Sequence, residues 1–203
     1  MGDRSIFPGT IDWSGENPGM YLKESADGPF VTLLSFFRVL LSPHGRGHAL
    51  VMIQDPQSAA GTADRPNLCL SDNEKLARWL VADYVAQFGA FKGLPALAGL
   101  GYRPLRRCRR EGDARQSYAE IVEAEGFDIR LSWEGIGEPF ALQLPPEKSA
   151  TGRHLMLSVF AGARDGIATV NGRRLPGRAV PREMAGRQIT TAFLAFCESW
   201  IRP

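Results

Sequence analysis

The chain has 203 residues, 44% of them hydrophobic and 23% charged, which are ordinary values for one globular domain with a real core. Its formal net charge of +2 excludes a molecule that binds nucleic acid through overall charge. Arginine outnumbers lysine 20 to 4 along the whole chain, a bias that coding composition explains more simply than selection for anion contacts.

The three cysteines, Cys69, Cys108 and Cys197, are odd in number and share no CxxC spacing, which argues against a disulfide framework and a zinc knuckle. The opening MGDRSIFPGTIDW lacks the apolar core of a signal peptide. The best apolar run, FVTLLSFFRVLL, is broken by Arg38 and falls short of the roughly 20 residues that cross a bilayer. The expectation is a cytoplasmic protein with no membrane contact.

In chain order, residues 1–18 carry Pro8, Gly9, Gly15 and Pro18 and read as an irregular lead-in to a single domain spanning 1–203. PFVTLLSFFRVLL and HALVMIQD then form a hairpin across SPHGRGH, and residues 56–66 are a polar loop. Ser71 and Glu74 fit a capping box. Behind them Ala77, Leu80, Val81, Tyr84, Val85, Phe88 and Phe91 recur at three- and four-residue steps, which predicts an amphipathic helix over 72–91.

After GLPALAGLGYRP come short strands with tight turns: LRRCRRE, SYAEIVEA, FDIRLSW, PFALQL, HLMLSVFAG and GIATV. FDIRLSW alternates cleanly, with Phe127, Ile129, Leu131 and Trp133 on one face. Such short connections give antiparallel neighbours, hence a β-meander. Asn171-Gly172 is a type I′ hairpin signal. At the C-terminus Ile189, Ala192, Phe193, Phe196, Cys197, Trp200 and Ile201 follow a helical template, although Thr190 and Thr191 are weak helix formers. The expected fold is α+β. A mostly antiparallel meander forms a curved sheet or barrel, with helix 72–91 and a C-terminal helix packed on it. The alternative is a closed, calycin-like β-barrel with a C-terminal strand.

The most charged stretch, RPLRRCRREGDAR, holds six arginines against Glu111 and Asp113, while residues 116–147 hold Arg130 against seven acids. Pairing LRRCRRE with SYAEIVEA sets Glu120 and Glu123 near Arg106–Arg110, so the charges complement each other across a ladder. No aromatic interleaves the arginines, so nucleic acid is not an expected partner. A second group, Arg173, Arg174, Arg178, Arg182 and Arg187, faces only Glu183 on a Gly/Pro-punctuated loop, where guanidinium groups suit a carboxylate or phosphate.

His44 and His48 have HxxxH spacing, but Gly45 and Gly47 break the helix that a metal pair would need, so no metal is expected. His154 opens a strand, where it is either a hydrogen-bonded end group or a general base aimed into a cavity. Cys108 lies among arginines, yet no Cys–His pairing is legible. The chain carries no GxGxxG after a strand, GxxxxGK[ST], GxSxG, HExxH or SxxK, and no lipocalin G-x-W opens the first strand. No cofactor is implied.

Three functions compete. The first is a carrier or sensor for a small amphipathic or anionic molecule in a sheet-enclosed cavity. There Trp133, Phe140, Leu157 and Trp200 would grip its body and Arg174 or Arg178 its anionic end. The second is a cofactor-free hydrolase, cyclase or isomerase using His154 or His48 beside a carboxylate such as Glu138 or Asp128. A protein-binding module would show a flat apolar patch instead.

Overall fold

The computed structural model describes residues 8–203. The part of the irregular lead-in over residues 1–7 lies outside the described residues. Among those described are fourteen strands and a single α-helix. The strands are β1 (Thr10–Glu16), β2 (Gly19–Lys23), β3 (Phe30–Leu41), β4 (Gly47–Ile53), β5 (Asn67–Ser71), β6 (Gly101–Gly112) and β7 (Ser117–Ala124). They continue with β8 (Phe127–Ile136), β9 (Phe140–Leu144), β10 (Leu155–Val170), β11 (Arg173–Arg174), β12 (Pro181–Met184), β13 (Arg187–Thr190) and β14 (Ala192–Arg202). The helix, α1 (Glu74–Asp83), crosses between β5 and β6.

Nine strands close into a barrel in the order β14-β2-β3-β4-β5-β6-β7-β8-β10, and β10 pairs with β14 to complete the ring. All neighbours in the ring are antiparallel except β5 and β6, which α1 joins. The expected hairpin β3–β4, the basic–acidic pairing β6–β7 and the β7–β8 pairing after it are present. The expected meander stops there: β9 pairs with β10 and not with β8, and the two strands expected at HLMLSVFAG and GIATV are the single strand β10, which runs through the expected RDG turn to pair with β8. Asn171 and Gly172, with φ of 51° and 74°, turn β10 into β11 as a type I′ signal requires. Full closure removes the sheet edges that would otherwise pair with other chains.

Two apolar clusters divide at the barrel wall. One draws Met20, Phe36, Leu50, Leu68, Val122, Leu131 and Trp133 from around the ring and fills the interior. The other gathers alternate residues of the same strands, Tyr21, Leu33, Phe37, Val51 and Cys69, against Leu76, Leu80 and Tyr84 of the α1 region. β3 and β4 read as nearly continuous apolar runs because both of their faces are buried.

Four further expectations need correction. The α+β label gives way to a β-barrel with one ten-residue helix, which fits the closed-barrel alternative. The helix starts at Glu74 with Asn73 as its cap, because the Ser71 hydroxyl bonds the His48 carbonyl at 2.6 Å instead of forming the capping box. It ends at Asp83, and the remaining apolar residues are buried by a 3-10 turn at Val85–Gln87 and the turns behind it. Part of the lead-in is ordered: β1 and β2 act as one long strand bent at Asn17-Pro18, seated between β14 and β3.

The C-terminal helix is instead strand β14. Phe193 and Ala195 face the α1 cluster, whereas Ala192 and Leu194 face the barrel interior. At Cys197, with φ of 50°, the strand bulges, and its register with β10 slips between Leu157 and Val159. The alternation restarts there, so Trp200 rejoins the α1 side. A strand buried on both faces and reset by one residue reproduces the three- and four-residue spacing of a helix.

Candidate ligand cavity on the outer barrel wall

The break at Asn17-Pro18 and the bulge at Cys197 lie across from each other, where Asn17 N donates to the Ala195 carbonyl at 2.8 Å. Together they turn polar side chains out of a regular ladder and into a cavity of about 180 Å³. Its floor is the outer wall of the barrel, with Tyr21, Phe193, Glu198 and Trp200. Its roof is the loop Phe88–Ala90, and β12 closes one side with Arg182 and Met184.

Five of the fourteen lining residues are aromatic. Phe193 stacks on Phe160 with centroids 4.9 Å apart and meets Tyr21 edge-on at 5.2 Å. Trp200 stacks on Phe88 at 6.1 Å and on Trp13 at 6.3 Å. The polar groups are few and converge. Ser35 Oγ donates to Asn17 Oδ1 at 2.8 Å, and Trp200 Nε1 donates to Glu198 Oε1 at 2.6 Å. The Asn17 side chain lies on the same side of the cavity as the Glu198 carboxyl.

Glu198 is 4% exposed, and among the described residues no cation pairs with it. Burial pushes its carboxyl up to about 7, with the Trp200 bond and the polar Asn17 side chain pulling the other way. Arg182 sits across the lining with its guanidinium 4.9 Å over the Phe193 ring. Burial pulls that guanidinium down, with only the Tyr21 phenol opposing, and its Nε has no partner among the described residues. Burial likewise pushes the Tyr21 phenol upward. The chemistry on offer is a guanidinium with no carboxylate partner among the described residues and a carboxyl that changes charge near neutrality, both against a largely apolar lining.

Of the residues singled out from sequence, Trp200 lines this cavity. Trp133 lies on the other side of the wall, fully buried in the barrel interior, where its Nε1 donates to the Gly19 carbonyl at 3.0 Å. Arg174 and Arg178 are exposed outside the cavity, and Arg178 pairs through its backbone with Lys23. Phe140 borders a separate open groove of about 530 Å³, whose charged groups Glu138, Arg164 and Arg187 are all exposed. Leu157 lies on β10, half-buried and outside the cavity lining.

His154 is fully buried among Tyr84 and Trp200, with Nε2 2.8 Å from Asp12 Oδ2 and Nδ1 2.8 Å from Thr151 Oγ1. Its carboxylate partner is therefore Asp12, not Glu138 or Asp128. Burial raises the Asp12 carboxyl, but the His154 and Arg202 bonds outweigh it and hold it below its ordinary value. His48 stands at one end of the barrel, with Nδ1 2.7 Å from Asp72 Oδ2.

Glu198 and Asn17 are the groups that sequence reading missed. The one available signal was a lone acid within an otherwise apolar segment, FLAFCESWI. Arg182 belonged to the second arginine group but was not distinguished within it.

The fold and cavity define a closed, mostly antiparallel β-barrel with a partly open, largely apolar cavity against its outer wall. No family profile, curated protein or solved structure matches the chain. Among the described residues no helix is long and apolar enough to cross a membrane.

Proposed function

We propose that the protein binds a small, flat carboxylic acid in the cavity beneath Phe88–Ala90. The observation that carries this reading is Arg182, a largely buried guanidinium whose Nε is unpaired and whose plane covers the Phe193 ring. Buried charges are retained where something pairs with them, and a ligand carboxylate would supply that pairing. Size narrows the class. A cavity of about 180 Å³ slightly exceeds the roughly 150 Å³ that admits benzene, so the ligand body is about one ring. Arg182, rather than Arg174 or Arg178, takes the anionic end, and Trp200, Tyr21 and Phe193 hold the ring.

Thermal denaturation with benzoate or phenylacetate, compared with the neutral amide of each acid, tests the reading. The acids raise Tm and the amides do not, and Arg182→Met abolishes the shift. Equal stabilisation by the amides, or a shift that survives in Arg182→Met, would overturn it.

A second reading has one observation in its favour. Glu198, buried and raised to about 7, suits general acid–base chemistry on a bound acid, in a cofactor-free isomerase or cyclase. The proton-transferring group is then this carboxyl, since no histidine lines the cavity. Native mass spectrometry of fresh protein separates the two readings. A retained acid identical in wild type and Glu198→Gln supports a carrier, whereas a different bound molecule in the variant supports turnover.

A further inference from the structure

The outer side of α1 bounds a second recess of about 330 Å³, which shares no lining residue with the cavity beneath Phe88–Ala90. Five segments build it. β1 bulges at Asp12, where its register against β14 slips between Ile11 and Trp13, and this extra residue leaves the ladder to line the recess. Trp79 and Asp83, one helical turn apart on α1, line it together. The β3–β4 turn contributes His44, whose carbonyl accepts from the Asn73 side-chain amide at 2.9 Å and whose ring meets Trp79 edge-on at 5.1 Å. Arg153, just before β10, and Arg202 of β14 complete the lining.

The charges in this recess are already matched. Arg202 Nη2 donates to Asp12 Oδ1 at 2.6 Å, and Arg153 Nη2 donates to Asp83 Oδ1 at 2.6 Å. His154 Nε2, behind the wall, lies 2.8 Å from the other Asp12 oxygen, so both oxygens of that carboxylate are held. An anion would have to compete with a carboxylate for its guanidinium, and a cation with a guanidinium for its carboxylate. A neutral ligand meets no such competition, which sets this site apart from Arg182 and its unpartnered Nε.

Hydrogen-bonding capacity is nevertheless left over. Each guanidinium spends one nitrogen on its carboxylate, and the Arg202 and Arg153 side chains are 60% and 57% exposed, so their remaining N–H groups are within a ligand's reach. Asp83 Oδ2 has no partner among the described residues. Donors set beside acceptors in this way match neighbouring hydroxyls, of which one accepts while the next donates. Trp79, half-buried, adds the aromatic surface on which the C–H face of a sugar ring can lie. Two surface ion pairs contribute little to stability by themselves, whereas their convergence beside a tryptophan suits a polyhydroxyl ligand. The volume is roughly twice the 150 Å³ that admits benzene, which is room for one or two saturated rings.

We propose that the recess between Asp12, Trp79 and Asp83 binds a neutral mono- or disaccharide, with Arg153 and Arg202 donating to its hydroxyls.

The protein carries its own reporter. Trp13, Trp133 and Trp200 are buried, so Trp79 is the tryptophan open to a quencher. Acrylamide quenching, which does not disturb the ion pairs, is measured at pH 7 against glucose, galactose, mannose, maltose, cellobiose and lactose, with calorimetry for affinity. At least one of these sugars protects Trp79 saturably, with a millimolar or tighter Kd. The uronate and the amino sugar of the bound ring bind at least about fivefold more weakly, and Asp83→Asn weakens the neutral sugar about tenfold. Arg153→Gln, at the exposed partner, gives the same loss and replaces Asp83→Asn if that variant unfolds early. A methyl glycoside that binds as well as its free sugar marks a glycan end as the occupant, and one that fails marks a free sugar. Protection by none of the six sugars overturns the proposal, as does a uronate or amino sugar that binds more tightly than its neutral parent. Unchanged affinity in folded Asp83→Asn and Arg153→Gln overturns it equally.

Discussion

Arg38 and Glu120, 82 positions apart in sequence, meet at the barrel end through two hydrogen bonds of 2.7 and 2.8 Å from one guanidinium nitrogen. Glu120 is fully buried, and burial pushes its carboxyl upward against the Tyr118 and Arg38 bonds. Removing one member strands a charge in a low-dielectric interior. Arg38→Met is expected to lose about 3–5 kcal/mol in urea denaturation at pH 7. The double variant Arg38→Met/Glu120→Leu should recover most of that loss, because no uncompensated carboxylate remains. A double variant as unstable as the single one would show that the pair is worth more than its desolvation.

Glu198 gives the opposite dependence on pH from most carboxylates. Its folded value is raised to about 7 from an ordinary 4.5, so the folded state binds the proton more tightly than the unfolded chain does. Below about pH 4.5 the group is neutral in both states and carries no penalty. As pH rises from there through 7, the unfolded chain ionises first and stability falls, by up to roughly 3 kcal/mol. Glu198→Gln keeps an acceptor for Trp200 Nε1 and removes the titration. Its stability advantage over wild type should be largest at pH 8 and vanish near pH 4.5, read from urea midpoints at both values.

His154 is held at both ring nitrogens and wholly enclosed. His154→Leu leaves Asp12 and Thr151 each short of a partner, and a loss of roughly 2–4 kcal/mol is expected. Asp12 keeps Arg202 at 2.6 Å, which limits the damage. Acid-induced Tm shifts of benzoate or phenylacetate should survive the change, because His154 does not line the cavity. Their disappearance in a folded variant would place His154 in the binding machinery.

Cys197 holds a left-handed backbone, with φ of 50°, at the bulge of β14. That conformation strains any residue with a Cβ by roughly 1–2 kcal/mol, and glycine relieves it. Cys197→Gly should therefore raise stability by a few tenths to about 1 kcal/mol without shifting the tryptophan environment, measured by thermal unfolding and fluorescence. A destabilised variant would mean that the bulge is held by the side chain rather than tolerated by it.

How much of this was legible follows a physical line. Local signals were sound where turn chemistry or alternation is short-range: the β3–β4 hairpin, the basic β6 beside the acidic β7, and Asn171-Gly172. They failed where tertiary packing decides. β14 is buried on two sides, so its period carries both a core and a wall. The β6–β7 register brought Glu120 opposite Arg110, yet its carboxylate went to Arg38 on β3, because closure put a third strand closer. Barrel closure is equally invisible in sequence, since it rests on β10 meeting β14. The cavity inherits that blindness. Asn17, Arg182 and Glu198 come from three distant segments, and only the strand break and the bulge turn them toward one another.

One residue on the wall has more reach than its size suggests. Gly19 accepts the Trp133 indole proton from the barrel interior, and its bare outer side lies against the Phe193 ring. A methyl group there would overlap that ring and drive it toward Arg182, which rests on the ring's face. The dimensions of the cavity are thus set from behind, by how closely the ring can approach a backbone that has no side chain. If the cavity binds the proposed acid, its preference would drift through a position that the ligand never touches.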